Sequence, residues 1–388
     1  MIVYNKKMLD NEVLRDEADV LYKGGFISKE QKKFIEKELS VLKSQNNILV
    51  RIGFFLLGCL LFLSICGAIS VFGLQTEERA YLQICCYLFA VVGFIGAELL
   101  SAKNYHNHGL DDAFILGALL NLGIAIAIST EGYEAVIAFF VALGALFMFL
   151  RYLHLPSMLV FCLAATAFLF FGMFEFGDIG KAILPFTAML FAGIFYFLTK
   201  KRISDIKENY YYNGLLLANS FCLVLFYLSC NYLVVRELSM ELLGTEVKPG
   251  TDIPFAFFFY VFTFVVPVVY LVQALKTKDR IMLWISFLAI GFSIYTIRFY
   301  YSVLPIEVAL TLGGVVLFAI AYFSIKKLKE KESGLTFKPD RINHTDNFLN
   351  AEALIVASTF GMKPEVKTVS PMEFGGGGFS GGGSSESF

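Results

Sequence analysis

Long apolar runs alternate with short polar segments from residue 49 to residue 323. A helix needs roughly 20 mainly apolar residues to cross the hydrocarbon core of a bilayer, about 30 Å thick. The pattern predicts ten spans, at residues 49–74, 81–100, 113–129, 135–150, 156–174, 182–198, 214–234, 254–275, 281–297 and 305–323. Only residues 130–134 separate the third span from the fourth, so a tight hairpin is the alternative for this pair. Either interpretation leaves an even number of crossings.

The basic residues between these spans predict an orientation. Lys and Arg near short loops are held on the cytoplasmic side during insertion. Alternate connections, together with the segment that follows the last span, carry thirteen of them, whereas the opposite loops carry five. This asymmetry predicts that both termini are cytoplasmic. Residues 1–48 lack the apolar core of a secretory signal, so we expect the protein to be inserted by its own spans. By analogy, we expect a multi-pass protein of a prokaryotic cytoplasmic membrane.

The chain is predicted to be all-α, with four segments. Residues 1–48 form a cytoplasmic helical hairpin, 49–325 the ten-span membrane domain, 326–370 a basic anchor, linker and short apolar docking segment, and 371–388 a disordered tail rich in Gly, Ser and Phe. In the hairpin, helices at 8–23 and 29–45 flank a break at Gly24 and Gly25. Ser28 and Gln31 have the spacing of a capping box, in which each side chain accepts a hydrogen bond from the other residue's backbone amide.

The C-terminal region contains a second apolar element. Residues 348–362 are too few to cross a bilayer comfortably, so we interpret them as an interfacial or docking segment. The glycine-rich tail offers no core and is predicted to be flexible. Its phenylalanines are candidate adhesive contacts for a partner; the alternative is a solvated tail. The candidate docking residues are Leu354, Ile355, Phe360, Phe374, Phe379 and Phe388.

Composition narrows the class of protein. Hydrophobic residues make up 57% of the chain and charged residues 17%, which excludes a water-soluble globular enzyme. The net charge of −1 provides no basic excess for nucleic acid. The expected partners are therefore the lipid bilayer and a membrane or cytoplasmic protein.

One polar loop carries candidate chemistry. His106, His108, Asp111 and Asp112 lie in the predicted cytoplasmic loop between the second and third spans, and their side chains are of the types that bind metals. The alternative is an interfacial loop whose acidic residues favour the positive N-terminal end of the next helix. No cofactor is predicted.

Polar residues within or near the spans are few. Asn121, Asn219 and Ser220 are the deepest, and Glu98 lies near the inner end of the second span. These residues either line a transport path or make polar contacts between helices, as such groups commonly do in membranes.

Three short stretches carry a resemblance. They are the hairpin turn from Gly24 to Ser28, the exit of the second span from Glu98 to Ala113, and the Arg151 to His154 stretch that closes the fourth span. With these, residues 10–200 resemble a broad family of uncharacterised bacterial polytopic membrane proteins, a domain-of-unknown-function group with an N-terminal cytoplasmic hairpin. The resemblance implies an integral cytoplasmic-membrane protein and no catalytic residue.

The sequence thus favours a non-enzymatic accessory or scaffold subunit that presents cytoplasmic appendages to a partner. Recognised nucleophile, phosphate-loop and zinc-protease motifs are missing from it. The alternative is a transporter or channel for a neutral or lipidic small molecule, with Asn121 and Asn219 on its path. A membrane enzyme built on the His and Asp loop is the third hypothesis.

Overall fold

The computed structural model describes residues 2–23, 25–45, 47–71, 78–205, 209–243, 252–277 and 279–300, and six separate residues between 308 and 326. These ranges contain no β-strand, only one isolated bridge between Lys43 and Tyr105. The α-helices are α1 (Lys6–Lys23), α2 (Lys29–Glu38), α3 (Ile48–Val71), α4 (Glu78–Ala102), α5 (Leu110–Ser129), α6 (Glu134–Tyr152), α7 (Leu155–Phe174), α8 (Gly177–Asp205), α9 (Tyr212–Cys230), α10 (Tyr232–Leu243), α11 (Ala256–Thr277) and α12 (Arg280–Tyr300).

Nine helices of the described ranges are long and apolar enough to cross a membrane: α3 to α9, α11 and α12. The all-helical bundle and nine of the predicted apolar helices are therefore confirmed. Helices α5 and α6, for which a tight hairpin was the alternative, have 20 and 19 residues. The tenth predicted span falls outside the described residues, apart from separate helical positions such as Val308 and Phe318.

The predicted seventh span was wrong at its C-terminal end. Helix α9 ends at Cys230, and a separate helix, α10, begins at Tyr232. Between them Asn231 has an extended conformation, with φ −77° and ψ 126°. Its side-chain Oδ1 accepts the backbone N–H groups of Leu233 and Val234, at 3.0 and 3.3 Å, and so caps α10.

Two helices hold the bundle together. Helix α5 packs against α3, α4 and α6, and α9 packs against α7, α8, α10, α11 and α12. Glycine allows the closest approach, as is usual between apolar helices. A Cβ atom on Gly93 of α4 would lie 2.8 Å from the carbonyl oxygen of Phe114 on α5, and one on Gly58 of α3 would lie 2.7 Å from the Cβ of Ala113.

The described chain divides into two compact units. Residues 43 onward form the first, together with 2–5, and Lys6–Leu42 form the second. In the second unit, Ser28 and Gln31 make the predicted capping box, with Ser28 N–H donating to Gln31 Oε1 at 2.7 Å and Gln31 N–H donating to Ser28 Oγ at 3.2 Å. The second hairpin helix is shorter than predicted, because it ends at Glu38 rather than near Gln45.

The hairpin leaves much of its apolar surface exposed. Phe26 is 81% exposed and Phe34 65% exposed. On α1, Val13 and Val20 are two helical turns apart, as are Leu14 and Leu21, so the four side chains share one side of the helix. The hairpin face is defined here as Val13, Leu14, Val20, Leu21, Phe26 and Phe34, all exposed.

Candidate functional site

The ends of five helices meet in a group of polar side chains. Because successive helices run in opposite directions, the N-terminal ends of α3, α5 and α7 adjoin the C-terminal ends of α4 and α6. Each helix, or the loop before it, contributes at least one polar residue. The polar cluster is defined as Arg51, Glu98, His106, His108, Asp111, Asp112, Arg151, Tyr152, His154 and Ser157.

A chain of contacts crosses the polar cluster from α3 to α7. Arg51 Nε donates to Asp112 Oδ2 at 2.7 Å. The other carboxylate oxygen of Asp112, Oδ1, lies 3.1 Å from His154 Nε2. On the far side of the imidazole ring, His154 Nδ1 is 2.7 Å from Ser157 Oγ. Asp112, His154 and Ser157 are all buried, so this chain joins three helix ends away from solvent.

The Ser157, His154 and Asp112 side chains have the composition of a hydrolase triad, but their geometry is that of a helix cap. Ser157 is 0% exposed, which closes its hydroxyl to a substrate. His154 is the N-cap residue of α7, and its Nδ1 accepts the backbone N–H of Ser157 at 3.3 Å. Nε2 therefore carries the proton and faces Asp112, without the angle of a straight hydrogen bond. The arrangement fixes the start of α7.

Asp111 performs a similar role at the start of α5. Its Oδ1 accepts the backbone N–H groups of His108 and Gly109, both at 3.0 Å. A carboxylate at this place satisfies free amides and faces the positive end of the helix dipole. This geometry agrees with the alternative to a metal site given above, in which the acidic residues of the loop favour the positive N-terminal end of the next helix.

A second ion pair joins α4 to α6. Glu98 accepts hydrogen bonds from Arg151 through Nε and Nη2, the latter at 2.8 Å, so the pair is bidentate. Tyr152 Oη donates to Glu98 Oε1 at 2.5 Å. Glu98 and Arg151 are each 29% exposed at the side chain, so the pair is partly screened from water. Glu98 therefore makes a polar contact between helices. This was one of the two roles considered for it from the sequence, the other being to line a transport path.

Two segments that flank the hairpin attach to the same helix ends. The backbone N–H of Val3 donates to the carbonyl of Arg151 at 3.0 Å, and the ring of Tyr4 lies edge-on to His106 with 4.8 Å between centroids. After the hairpin, Lys43 N–H donates to the carbonyl of Asn104 at 2.7 Å, and His106 N–H donates to the carbonyl of Lys43 at 3.3 Å. Residues 3, 4 and 43, all in the first unit, are thus fixed to the ends of α4 and α6 and to the α4–α5 loop.

Glycine is required in that loop at position 109. Gly109 has φ +107°, a conformation that residues with a Cβ rarely adopt. A Cβ there would also lie 2.3 Å from the carbonyl oxygen of Arg51 and 2.9 Å from the backbone nitrogen of Phe55. The close approach brings α3 against the start of α5, which places Arg51 beside Asp112.

Burial keeps the loop histidines neutral. It lowers the pKa of His106 to about 4, with smaller electrostatic effects of His154 and Arg51 acting in the same direction and that of Asp112 opposing them. Burial also lowers the pKa of His108 and raises that of the Tyr4 hydroxyl. His108 Nδ1 is buried with no hydrogen-bond partner in the described structure.

The metal arrangement suggested for His106, His108, Asp111 and Asp112 does not form. No group of three or more His, Cys, Asp or Glu side chains in the described ranges is placed to hold a metal ion. The physical reason is that both carboxylates are engaged elsewhere, Asp111 by backbone amides and Asp112 by Arg51 and His154.

The candidate path residues are also hydrogen-bonded. Asn121 Nδ2 donates to the carbonyl of Gly117, one turn earlier on α5, and Ser220 Oγ donates likewise to that of Leu216 on α9. Asn219 is buried, and its Oδ1 accepts from Thr199 Oγ1 on α8 at 3.1 Å, an interhelical contact. The predicted docking residues Leu354, Ile355, Phe360, Phe374, Phe379 and Phe388 lie outside the described residues.

Sequence reasoning missed a second polar group, around α10. Arg236 Nη1 donates to Tyr232 Oη at 2.8 Å, and that hydroxyl donates to Asp252 Oδ1 at 2.7 Å. The guanidinium of Arg236 lies over the ring of Tyr300, 4.6 Å from its centroid. Tyr300 Oη donates to Glu237 Oε1 at 2.6 Å. The signal missed was the pair of charged residues Arg236 and Glu237, which follow within six positions of Asn231 and just beyond the predicted span 214–234.

An open depression of about 600 Å³ lies near the N-terminal end of α4 and the C-terminal end of α5. It is lined by Arg79, Leu82, Ala127, Ile128 and Glu131, none of which was a predicted site residue. Arg79 and Glu131 form an exposed ion pair at 3.2 Å beside it. No described contact links this depression to the polar cluster.

The fold and the polar cluster define a class, an all-helical bundle whose apolar helices have the length and composition of membrane spans. No protein-family model, curated protein or solved structure matches the chain. The resemblance to bacterial polytopic membrane proteins therefore stays a prediction from the sequence.

Proposed function

We propose that this chain is a multi-pass protein of a prokaryotic cytoplasmic membrane that acts as a non-enzymatic accessory or scaffold subunit. Its hairpin is the surface that recruits a cytoplasmic partner, and both termini lie in the cytoplasm. The observation that carries the proposal is the hairpin face, where six apolar side chains outside the candidate spans are exposed.

The chemistry of this face indicates the kind of partner. Exposed apolar side chains on a helix pair match an amphipathic helix that lays its own apolar side against them. Monomeric proteins rarely leave large contiguous apolar patches in water, and such patches commonly mark interaction sites. The hairpin also carries ion pairs, with Lys32 paired to both Asp19 and Glu36, and polar residues of this kind are typical of the rim of an interaction surface.

The use of polar side chains supports a structural rather than a catalytic bundle. The carboxylates of the polar cluster accept hydrogen bonds from arginine, tyrosine or backbone donors at helix ends. Asn121 and Asn219, the residues of the transport alternative, are bonded to a helix backbone and to Thr199. These contacts stabilise packing and require no substrate.

Orientation is tested by labelling cysteines introduced in intact cells with a membrane-impermeant maleimide. Glu131→Cys, at an exposed turn between α5 and α6, is expected to react before the cells are opened. Lys29→Cys, exposed on the hairpin, is expected to react only after permeabilisation. The unsubstituted chain measures the background of its seven native thiols. Labelling of Lys29→Cys in sealed cells contradicts the orientation.

Recruitment is tested by affinity purification of the full chain in mild detergent. A partner captured by the native chain should be lost from Phe26→Asp and Phe34→Asp, because a charge at either position opposes burial of the face. Lys29→Asp and Lys33→Asp are the matched controls, since they change charge at exposed positions of the same hairpin outside the face. Equal capture by all four variants contradicts recruitment through the hairpin face.

A further inference from the structure

Exposed basic side chains are grouped at the end of the bundle where α8 and α11 finish and α9 and α12 begin. Contacts with α9 hold these helices together. Thr199 Oγ1 of α8 donates to Asn219, and Tyr270 Oη of α11 donates to the carbonyl of Leu223. Ile281, at the start of α12, packs against the core cluster that contains Tyr270. The basic end is defined here as Lys200, Lys201, Arg202, Lys276 and Arg280, all exposed.

An exposed apolar stripe leads to the basic end along each of three helices. Its positions recur every three or four residues, so within each helix they lie on one side. The stripe residues, all exposed, are Leu190, Ile194, Phe197 and Leu198 on α8, Val265, Val269 and Val272 on α11, and Trp284, Phe287 and Leu288 on α12. Lys201, Lys276 and Arg280 continue the three stripes at the same spacing. Each stripe therefore ends with a cation.

The basic end differs from the polar cluster in its use of acidic residues. Both lie at the same end of the bundle, where Tyr211 Oη donates to the carbonyl of Leu150 at 3.1 Å. Two arginines of the polar cluster are paired with carboxylates. Within the described ranges, by contrast, no carboxylate forms an ion pair with Lys200, Lys201, Arg202 or Lys276.

The sequence around the basic end has an excess of positive charge. Residues 199–212 and 274–284 together contain seven basic and three acidic residues. One of the acidic residues, Asp279, caps α12, since its Oδ1 accepts the backbone N–H groups of Ile281 and Met282 at 3.0 and 3.1 Å. A ligand with negative charge would therefore meet a complementary surface.

We infer that the basic end binds an anionic phospholipid, with the phosphate among the cations and the acyl chains along the apolar stripes. The inference goes beyond the proposed function and rests only on the membrane insertion contained in it. Insertion by itself accounts for basic residues near the ends of spans. The missing carboxylate partners and the stripes that end in cations are the additional observations that point to a lipid.

The two parts of the surface select the class of ligand. Clustered Lys and Arg at the end of a membrane helix attract anionic lipid headgroups. A zwitterionic headgroup carries its own cation beside the phosphate and gains less from this charge. A free phosphate ion would use the cations and leave the stripes without a role. An anionic phospholipid uses both.

Trp284 is a built-in probe of this surface. It is the single tryptophan of the chain, it is 55% exposed, and it lies one helical turn from Arg280. The experiment reconstitutes the full chain in phosphatidylcholine vesicles and measures quenching of its fluorescence by phospholipids with brominated acyl chains. Brominated phosphatidylglycerol is expected to bind at least fivefold more strongly than brominated phosphatidylcholine. Equal binding of the two lipids overturns the inference.

Substitutions assign the preference to the basic end. Lys276→Gln with Arg280→Gln is expected to reduce the ratio of the two binding constants at least threefold. Lys276→Arg with Arg280→Lys keeps both charges and should retain the ratio of the native chain. Lys29→Gln with Lys33→Gln removes two exposed charges from α2 and is the matched control. An equal decrease in this control and in the first variant overturns the assignment to the basic end.

The probe is moved to α8 by Trp284→Phe with Phe197→Trp, since Phe197 belongs to the stripe that ends at Lys201. In that background, Lys200→Gln with Lys201→Gln is expected to reduce the ratio at least threefold. An unchanged ratio overturns the α8 part of the site.

Salt and a soluble competitor identify the source of the phosphate without any substitution. The ratio for the native chain should fall between 0.1 and 0.5 M NaCl, because salt screens exposed charges. A ratio that does not depend on salt overturns an electrostatic headgroup site. Glycerol phosphate, which lacks acyl chains, should not displace the lipid at equal concentration, and displacement would overturn a lipid occupant.

The same measurement separates this inference from the proposed function. Quenching by neither brominated lipid would show that the chain does not insert, which overturns the proposed function as well. Quenching by both lipids to the same extent overturns only the anionic site and leaves recruitment through the hairpin intact.

Discussion

Arg51 and Asp112, 61 positions apart, form an ion pair that fixes the start of α3 against the start of α5. The Asp112 side chain is buried, whereas the Arg51 side chain is 30% exposed. Asp112 also faces His154, so a single acidic side chain connects three helix ends. The stability of this end of the bundle should therefore depend strongly on that pair.

Arg51→Leu is expected to lower the free energy of unfolding by about 2–4 kcal/mol. Removal of one partner leaves the other charge buried without its counterion, which is far more costly than loss of an exposed pair. Denaturant unfolding in a mild detergent, followed by circular dichroism, measures the change.

The matched control is Arg79→Leu, because Arg79 pairs with Glu131 where both side chains are largely exposed. Exposed pairs contribute at most about 1 kcal/mol. A loss for Arg51→Leu no larger than that for Arg79→Leu would refute the importance of burial at Asp112.

Tyr152→Phe is expected to lower the free energy of unfolding by about 1.5–3 kcal/mol. The substitution removes a hydrogen bond to the Glu98 carboxylate, and bonds to charged groups contribute more than neutral ones. Tyr87→Phe is the control, since Tyr87 bonds at an exposed site to the neutral hydroxyl of Ser129. Thermal denaturation of both variants provides the comparison. Equal decreases in melting temperature would contradict a larger contribution from the bond to the Glu98 carboxylate.

Stability is expected to fall on acidification because of His106. Its pKa is about 4 in the folded protein, below its ordinary value of 6.5. Between these values the unfolded chain binds the proton and the folded chain does not, so the stabilising contribution is complete above pH 6.5 and decreases toward pH 4. From pH 7 to pH 5 the loss is about 2 kcal/mol.

His106→Gln tests this dependence, because glutamine retains hydrogen-bonding groups and does not titrate. Unfolding free energies of both chains at pH 7, 6 and 5 should show a shallower decline for the variant. Parallel pH profiles would assign the decline to other groups.

Asn231→Ala is expected to cost about 2–3 kcal/mol. The side chain caps α10 through Oδ1, while its Nδ2 donates to Tyr227 Oη at 3.0 Å and Thr296 Oγ1 at 3.2 Å. Its loss removes the side-chain acceptor of the Leu233 and Val234 amides and one hydrogen bond from each of the two buried hydroxyls. Asn121→Ala is the control, and its cost should stay below about 1 kcal/mol because its bond lies within one helix. Similar losses in the two variants would contradict this ranking.

Hydropathy identified nine apolar helices, since each apolar run is long enough to bury its own backbone hydrogen bonds. The same averaging placed the end of the seventh span at residue 234, because Tyr232, Leu233 and Val234 are as apolar as the residues before Asn231. The break depends on one side chain that caps α10, a feature that hydropathy does not measure.

The polar cluster was only partly predictable. The His and Asp residues of the α4–α5 loop are close together in the sequence, so their proximity in space could be predicted. The contacts of Asp112 could not, because its partners Arg51 and His154 come from distant segments. A usable signal did exist. Arg51, Glu98, Asp112 and Arg151 all fall within about two turns of span ends that the alternation of spans places on one side.

Gly109 has a further consequence for the recognition of distant relatives. Any side chain at this place would collide with the backbone of the first apolar helix, whatever the remainder of the sequence. Proteins that have kept this architecture should therefore retain a glycine two residues before the first of two consecutive aspartates, with an arginine 58 positions upstream. That spacing is a search criterion that does not depend on overall sequence identity.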